Sequence, residues 1–241
     1  MFRYRRQKRS FRQNIRLAIL LCTTAGFVNA SGFLGFFILT TNLTGHAVLL
    51  AVKLTEGDFR AVRMIGLWLL LFLSGAFFCS LYVLMAGRDK RHSYTIPIII
   101  EIVIFYFVGY FGHTFDHTTV KTEYFAGSLL FAMGMQNALV SVISGAVVRT
   151  THLTGMFTDL GVDLSAALLK YPRKDALLQK KIVLRLVIIL FFLTGGILGG
   201  FAFIKFQYHS FYIAIGILLT AICYDFFRVN SRRIISRLNK K

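Results

Sequence analysis

The chain has 241 residues, 56% of them hydrophobic, and a mean hydropathy of +0.66, which is too apolar for a soluble domain with a polar surface around one core. Lys and Arg number 28 against ten Asp and Glu, a formal net charge of +18. The basic residues gather at the chain ends and in short loops between apolar runs, so the positive-inside bias of membrane insertion accounts for them and no nucleic acid is called for.

Residues 1–16 form a basic segment, with Arg3, Arg5, Arg6, Lys8, Arg9, Arg12 and Arg16, and belong in the cytoplasm. The apolar run that follows, Leu17–Leu39, is too long for a signal peptide and lacks a cleavage site, so it reads as a first spanning helix. A break at Thr40–Gly45 opens a short helix over Thr44–Leu54, about 16 Å at helical rise and half a membrane. A second span covers Met64–Ala86, and Arg88, Lys90 and Arg91 return the chain to the cytoplasm. The third span, Tyr94–Phe111, leads into an outer loop over residues 113–123. His113, Asp116 and His117 in that loop have zinc-like spacing without a third strong ligand, and read as solvated. Tyr124–Val148 is the fourth span, followed by a second break and a short helix over Thr154–Leu169. Lys170, Arg173, Lys174, Lys180 and Lys181 mark the next loop as cytoplasmic. Ile182–Phe203 and Phe211–Phe227 are the last two spans, and a basic tail over residues 229–241 ends inside. One loop fits less well: Lys53, Arg60 and Arg63 fall outside, accompanied by Glu56 and Asp58. Cys22, Cys79 and Cys223 all lie in apolar runs with no pairing spacing, and read as packing residues.

The expected fold is an all-α membrane protein with six spans, both termini cytoplasmic, and two short helices that are either re-entrant or interfacial. An internal repeat organises it. Thr40-Thr41-Asn42-Leu43-Thr44-Gly45 returns 110 residues later as Thr150-Thr151-His152-Leu153-Thr154-Gly155, and extension to Leu54 and Leu164 gives eight identities in fifteen positions. The chain divides into a first membrane repeat, 17–112, and a second, 124–228, each with three spans. Three is odd, so the second repeat enters the membrane the other way, the inverted topology of many secondary transporters and several channels.

Each Thr-Thr-x-Leu-Thr-Gly break frees backbone groups that hydrocarbon cannot satisfy, which is tolerated only where the backbone is buried in protein or lines a cavity. Thr40, Thr41, Thr44, Thr150, Thr151 and Thr154 offer hydroxyls, Gly45 and Gly155 permit close approach, and Asn42 and His152 hold the variable position. The alternative to a lined pathway is capping of the short helices by Thr44 and Thr154 or their neighbours. Asn29 in the first span, and Gln136 and Asn137 in the fourth, precede the breaks and serve either a central site or helix–helix hydrogen bonds. Four residues are candidates for ion coupling. His46 follows the first break, and Glu101 stands in an isoleucine-rich run with Pro97 suggesting a shallow position. Asp159 and Asp163 share one face of the second short helix, and Lys53 stands opposite Asp163 in the repeat alignment, so a cross-repeat ion pair is conceivable. Arg185 and Asp225 read as snorkelling at span ends. Gly195-Gly196 and Gly199-Gly200 form a small-xxx-small pattern for close packing within the bundle or in a homo-oligomer.

Two segments carry a family resemblance: Ala25-Gly26-Phe27-Val28-Asn29-Ala30 leading to the first break, and Gly134-Met135-Gln136-Asn137-Ala138 leading to the second. Through them nearly the whole chain resembles the YoaK-like family of uncharacterised bacterial inner-membrane proteins. That resemblance implies a bacterial plasma-membrane location and no particular chemistry. Many relatives carry an acidic residue at the place of Asn29 and Asn at that of His46, which implies that Asn29 does not itself couple protons here.

The expected function is a small secondary transporter with a midplane site where the breaks meet. The alternatives are a channel-like facilitator and a non-transporting scaffold or lipid-binding protein whose basic face meets anionic lipids. Expected partners are membrane lipids and a small solute or ion. No nucleotide loop, nucleophile motif or zinc-protease helix is present, so neither enzyme activity, a metal nor a cofactor is expected.

Overall fold

The structure, a computed structural model, describes residues 11–87, 92–115, 119–144, 148, 150–169 and 175–223. Their regular structure is entirely helical, with no strand among them. In chain order the helices are α1 (Phe11–Phe36), α2 (Leu43–Thr55), α3 (Phe59–Ala86), α4 (His92–Phe111), α5 (Thr119–Ser144), α6 (Leu153–Leu169) and α7 (Ala176–Phe206). A 3-10 turn at Gln207–Ser210 then leads into α8, over residues 211–223. Arg88, Lys90, Arg91, Asp116, His117, Asp225, residues 1–10 of the basic N-terminal segment and the basic C-terminal tail lie outside the described residues, whereas Arg12 and Arg16 fall in the first turns of α1.

Among the described residues, five stretches are long and apolar enough to cross a membrane: Asn14–Phe36, Phe59–Ala86, Ser93–Thr114, Glu123–Ser144 and Ala176–Cys223. The last, at 48 residues, runs through the turn at Gln207–Ser210, where Gln207 takes a positive φ of 51°. It therefore contains the stretch read from the sequence as the fifth span and the described part, 211–223, of the sixth. α1 stops at Phe36, short of the Leu39 that hydropathy suggests, because Phe37 adopts φ 57° and residues 37–42 fold back along the helix.

The bundle is held by two close helix pairs, α1 on α7 and α3 on α5, with α1 also touching α5 at the centre. Glycines let the backbones meet, the usual route to helix association where apolar surface alone gives no driving force. A Cβ at Gly26 would strike the carbonyl of Phe192, and one at Gly134 would strike that of Phe72. A Cβ at Gly75 would strike the carbonyl of Phe131, and one at Gly195 that of Thr23. These four contacts fall into two matched sets. Gly26 and Gly134 each open a Gly-x-x-Asn-Ala stretch, and Gly75 and Gly195 each sit three residues after a Phe. Exchanging the members of each pair turns one contact into the other. The same exchange holds for the short helices, since α2 packs on α3 as α6 packs on α7. It also holds for burial. Positions 41–50 run through the same order of buried, half-buried and exposed residues as 151–160, as do 23–32 with 131–140 and 71–80 with 191–200.

At one end of the bundle an aromatic layer joins four elements. Phe36 stacks on Phe125 at 5.3 Å between ring centroids and meets Phe115 edge-on at 5.1 Å, while Tyr208 lies 5.3 Å away and donates its hydroxyl to the Gly35 carbonyl.

Candidate functional site

The two breaks reach the same depth. Asn29 lies seven residues before the end of α1, about 10 Å below the aromatic layer. Its side-chain oxygen accepts from the Thr40 hydroxyl (3.3 Å), the Thr41 hydroxyl (3.1 Å) and the Thr41 backbone N–H (3.2 Å). The break is thus pinned to α1 at that level. From there α2 runs antiparallel to α3, with Leu50 over Gly66 and the His46 ring edge-on to Trp68 at 5.6 Å. This register puts the start of α2 beside Phe72, about halfway along α3. In the second half, Arg185 on α7 holds Asp159 and Asp163 of α6, so Leu153 comes beside Phe192, again near the middle of its partner helix. Phe192 in turn touches Gly26 of α1, three residues from Asn29, so the breaks differ in depth by only about 5 Å.

The first break is fully tied. Besides the Asn29 bonds, Nε2 of buried His46 donates to the Leu39 carbonyl at 2.9 Å, satisfying a backbone acceptor that the break exposes. Asn42, not Thr44, caps α2, its side-chain oxygen accepting from the Gly45 N–H at 3.1 Å. A Cβ at Gly45 would press on the amide of the Asn42 side chain, so the cap would have to shift to admit one. Thr44 and Thr154 are exposed, Thr41 and Thr151 half-buried, and Thr40 and Thr150 fully buried.

The second break carries the same shape with fewer ties. His152 stands over Gly155 as Asn42 stands over Gly45. Met156 replaces His46 and offers no hydrogen bond of that kind. The buried oxygens of Asn137 and Thr150, the counterparts of Asn29 and Thr40, have no hydrogen-bond partner. Gln136 donates to the Leu21 carbonyl at 2.9 Å, joining α5 to α1 at the core, while its side-chain oxygen is also unpartnered. The second half is tied elsewhere. Arg185 donates to the Asp159 carboxylate at 3.2 Å and to its backbone carbonyl at 3.1 Å, and pairs with Asp163. The offset of 110 residues places Leu49 opposite Asp159 and Lys53 opposite Asp163, and continuing the α3–α7 offset of 120 along the helices places Ile65 opposite Arg185. The first half thus has apolar residues at two of the three positions that carry ions in the second.

Two expectations are corrected here. Lys53 pairs with Glu56 at 2.6 Å on its own helix, which raises its pKa, and it does not reach Asp163. Arg185 does not snorkel to a free end; it is the anchor of the α6–α7 contact. The signal for it was an arginine inside an apolar run, a costly placement that usually has a stated partner.

Glu101 lies apart from both breaks. α4 begins at His92, so Pro97 falls in its second turn and Glu101 about midway along the span, deeper than Pro97 suggests. Only 1% of the residue is exposed, and neither carboxyl oxygen has a hydrogen-bond partner. Matching the burial order of 93–97 with 210–214 and counting on from there puts the buried Leu218 at the place of Glu101 in the other half. Among the described residues no group of three or more His, Cys, Asp and Glu is placed to hold a metal ion.

Over residues 17–224 the chain matches the family described as "Protein of unknown function (DUF1275)". It belongs to that family. The DUF1275 chain is also 27% identical over 211 residues to the UPF0700 transmembrane protein YoaK of Bacillus subtilis (strain 168), covering 85% of this chain and 92% of that one. No solved structure matches it. The match spans both breaks, and with the long apolar helices it makes this a transmembrane protein.

Proposed function

We propose that this DUF1275 protein is a small secondary transporter of the bacterial inner membrane, built from six spans in a 3+3 inverted repeat. α7 and α8 are then separate spans, hairpinned at Gln207–Ser210, and both termini lie in the cytoplasm. The reading rests on one observation above all: two unwound Thr-Thr-x-Leu-Thr-Gly segments at nearly the same depth, flanking the α1–α5 contact in matched surroundings. Unwound backbone at the bilayer midplane between repeats is where carriers bind solutes. The second break, with the free oxygens of Asn137 and Thr150, supplies acceptors for a solute's donors, and the first supplies the fixed wall. Glu101, unpaired at mid-span, is the coupling group, exchanging a proton as the halves rock. His46 and the Asp159–Asp163 pair act structurally in this scheme, since each already has a partner. The solute itself carries the chemistry; the chain is not an enzyme.

The test uses cysteine accessibility. In a background with Cys22, Cys79 and Cys223 replaced, Thr41→Cys and Thr151→Cys are placed one at a time and treated with a membrane-impermeant maleimide from either side of oriented vesicles. A transporter gives labelling from both sides that falls from one side as it rises from the other. Simultaneous labelling from both sides indicates a static pore, and no labelling from either side a packed scaffold; each of those results overturns the proposal.

A further inference from the structure

We infer that α3, α4 and α5 form a binding site for one two-chain zwitterionic phospholipid, apart from the breaks. A groove of about 470 Å³ runs between these helices, lined by Leu67, Leu71, Ile104, Gly127, Ser128 and Phe131, with Glu123 and Tyr124 at its mouth. A second groove of about 440 Å³ runs down α3 between Leu70, Leu73, Ser74 and Phe77, and shares Leu67 and Leu71 with the first. The two grooves therefore border one leucine ridge, so that two acyl chains on one glycerol could lie on either side of it. Their linings are almost wholly apolar, and they face the side of the bundle that hydrocarbon covers.

The mouth adds what an ordinary lipid-facing surface lacks. Glu123 and Arg63 stand side by side there, 3.8 Å apart at their nearest atoms, with Arg63 largely exposed and Glu123 mostly covered. At that distance the pair is loose, too long for a good hydrogen bond. A carboxylate beside a guanidinium, at the level where α3 and α5 leave the bilayer, complements an ammonium and a phosphate joined by two carbons. Tyr124, two-thirds exposed beside them, is the amphipathic ring expected at headgroup depth. The groove exists because α5 carries Gly127 and Ser128 where its counterpart α1, aligned through Gly26 and Gly134, carries Ile19 and Leu20. Those larger side chains would fill the floor. Only a primary ammonium can donate N–H to the Glu123 carboxylate, which a trimethylated choline cannot, so the occupant is a phosphatidylethanolamine-type lipid, held by both chains and by both charges of its headgroup.

The experiment is native mass spectrometry of the full chain released from nanodiscs containing equal amounts of ethanolamine, glycerol and choline phospholipids. The expected result is one retained lipid per chain, enriched at least fivefold in the ethanolamine class. Ser128→Leu, which restores the residue of the other half, should abolish retention, with circular dichroism and size-exclusion profiles showing the bundle intact. Glu123→Gln should keep retention but shift it toward the anionic glycerol class, and Arg63→Gln should weaken retention of all phosphate headgroups. Retention of the three classes in their bulk ratio would overturn the inference, as would retention unchanged in Ser128→Leu.

Discussion

The two halves of this protein fold alike and are fastened differently. In the first, the break itself is locked: Asn29 takes three hydrogen bonds from Thr40 and Thr41, His46 holds the Leu39 carbonyl, and Asn42 caps α2. In the second, the break keeps unpartnered oxygens on Asn137 and Thr150, and the fastening has moved some two turns along α6 to the Arg185 ion cluster. In the transport scheme proposed above, this unequal fastening divides the labour: the first break would serve as a fixed wall, and the second would offer acceptors to a solute.

The comparison can be broken at its strongest point first. Arg185→Met leaves Asp163 covered without its counter-charge, and should cost about 3 kcal/mol in the unfolding free energy measured by denaturant titration in mixed micelles. Replacing the whole cluster by apolar residues, Arg185→Ile and Asp159→Leu as in the first half together with Asp163→Leu, should recover most of that loss. If the triple variant is no better than Arg185→Met, the ion cluster is not a substitute for apolar packing. Asn29→Leu, which strands three donors at the first break, should cost about 2 kcal/mol by the same titration. His46→Met, the residue of the other half, should cost about 1 kcal/mol through the freed Leu39 carbonyl. Asn137→Leu should change stability by less than about 0.5 kcal/mol, because its oxygen has no partner to lose. Equal losses for Asn29→Leu and Asn137→Leu would erase the proposed difference between the breaks.

Much of this architecture was legible in the sequence, and for physical reasons. Spans and short helices are set by local hydrophobicity, so α2 begins at Leu43 where Thr44 was expected and α6 at Leu153 where Thr154 was expected. The repeat was legible because the Thr-Thr-x-Leu-Thr-Gly pattern is short, polar and embedded in apolar chain. What escaped depends on which helices meet and at what register. The partner of Arg185 lies across two helices, and i,i+4 spacing made Asp159 and Asp163 a visible pair without showing whom they face. Lys53 found a partner three residues away, which a repeat alignment does not weigh. The depth of Glu101 was misjudged because Pro97 is tolerated in the second turn of α4 as well as the first. The lock on the first break needed a fold-back after Phe36, driven by a positive φ at Phe37, which no hydropathy profile records.

Rocking of one half against the other is the motion on which the account depends, and two distances measured together test it. Spin labels at Glu56 and Lys205 report on the end of the bundle that carries the aromatic layer, and labels at Met85 and Leu177 report on the opposite end. All four positions are exposed. Pulsed electron–electron resonance in lipid nanodiscs should give two-component distributions for both pairs, with the longer distance at one end gaining population as the longer distance at the other loses it when pH is changed. A single narrow distance at both ends across that pH range would contradict the account and leave a static bundle in its place.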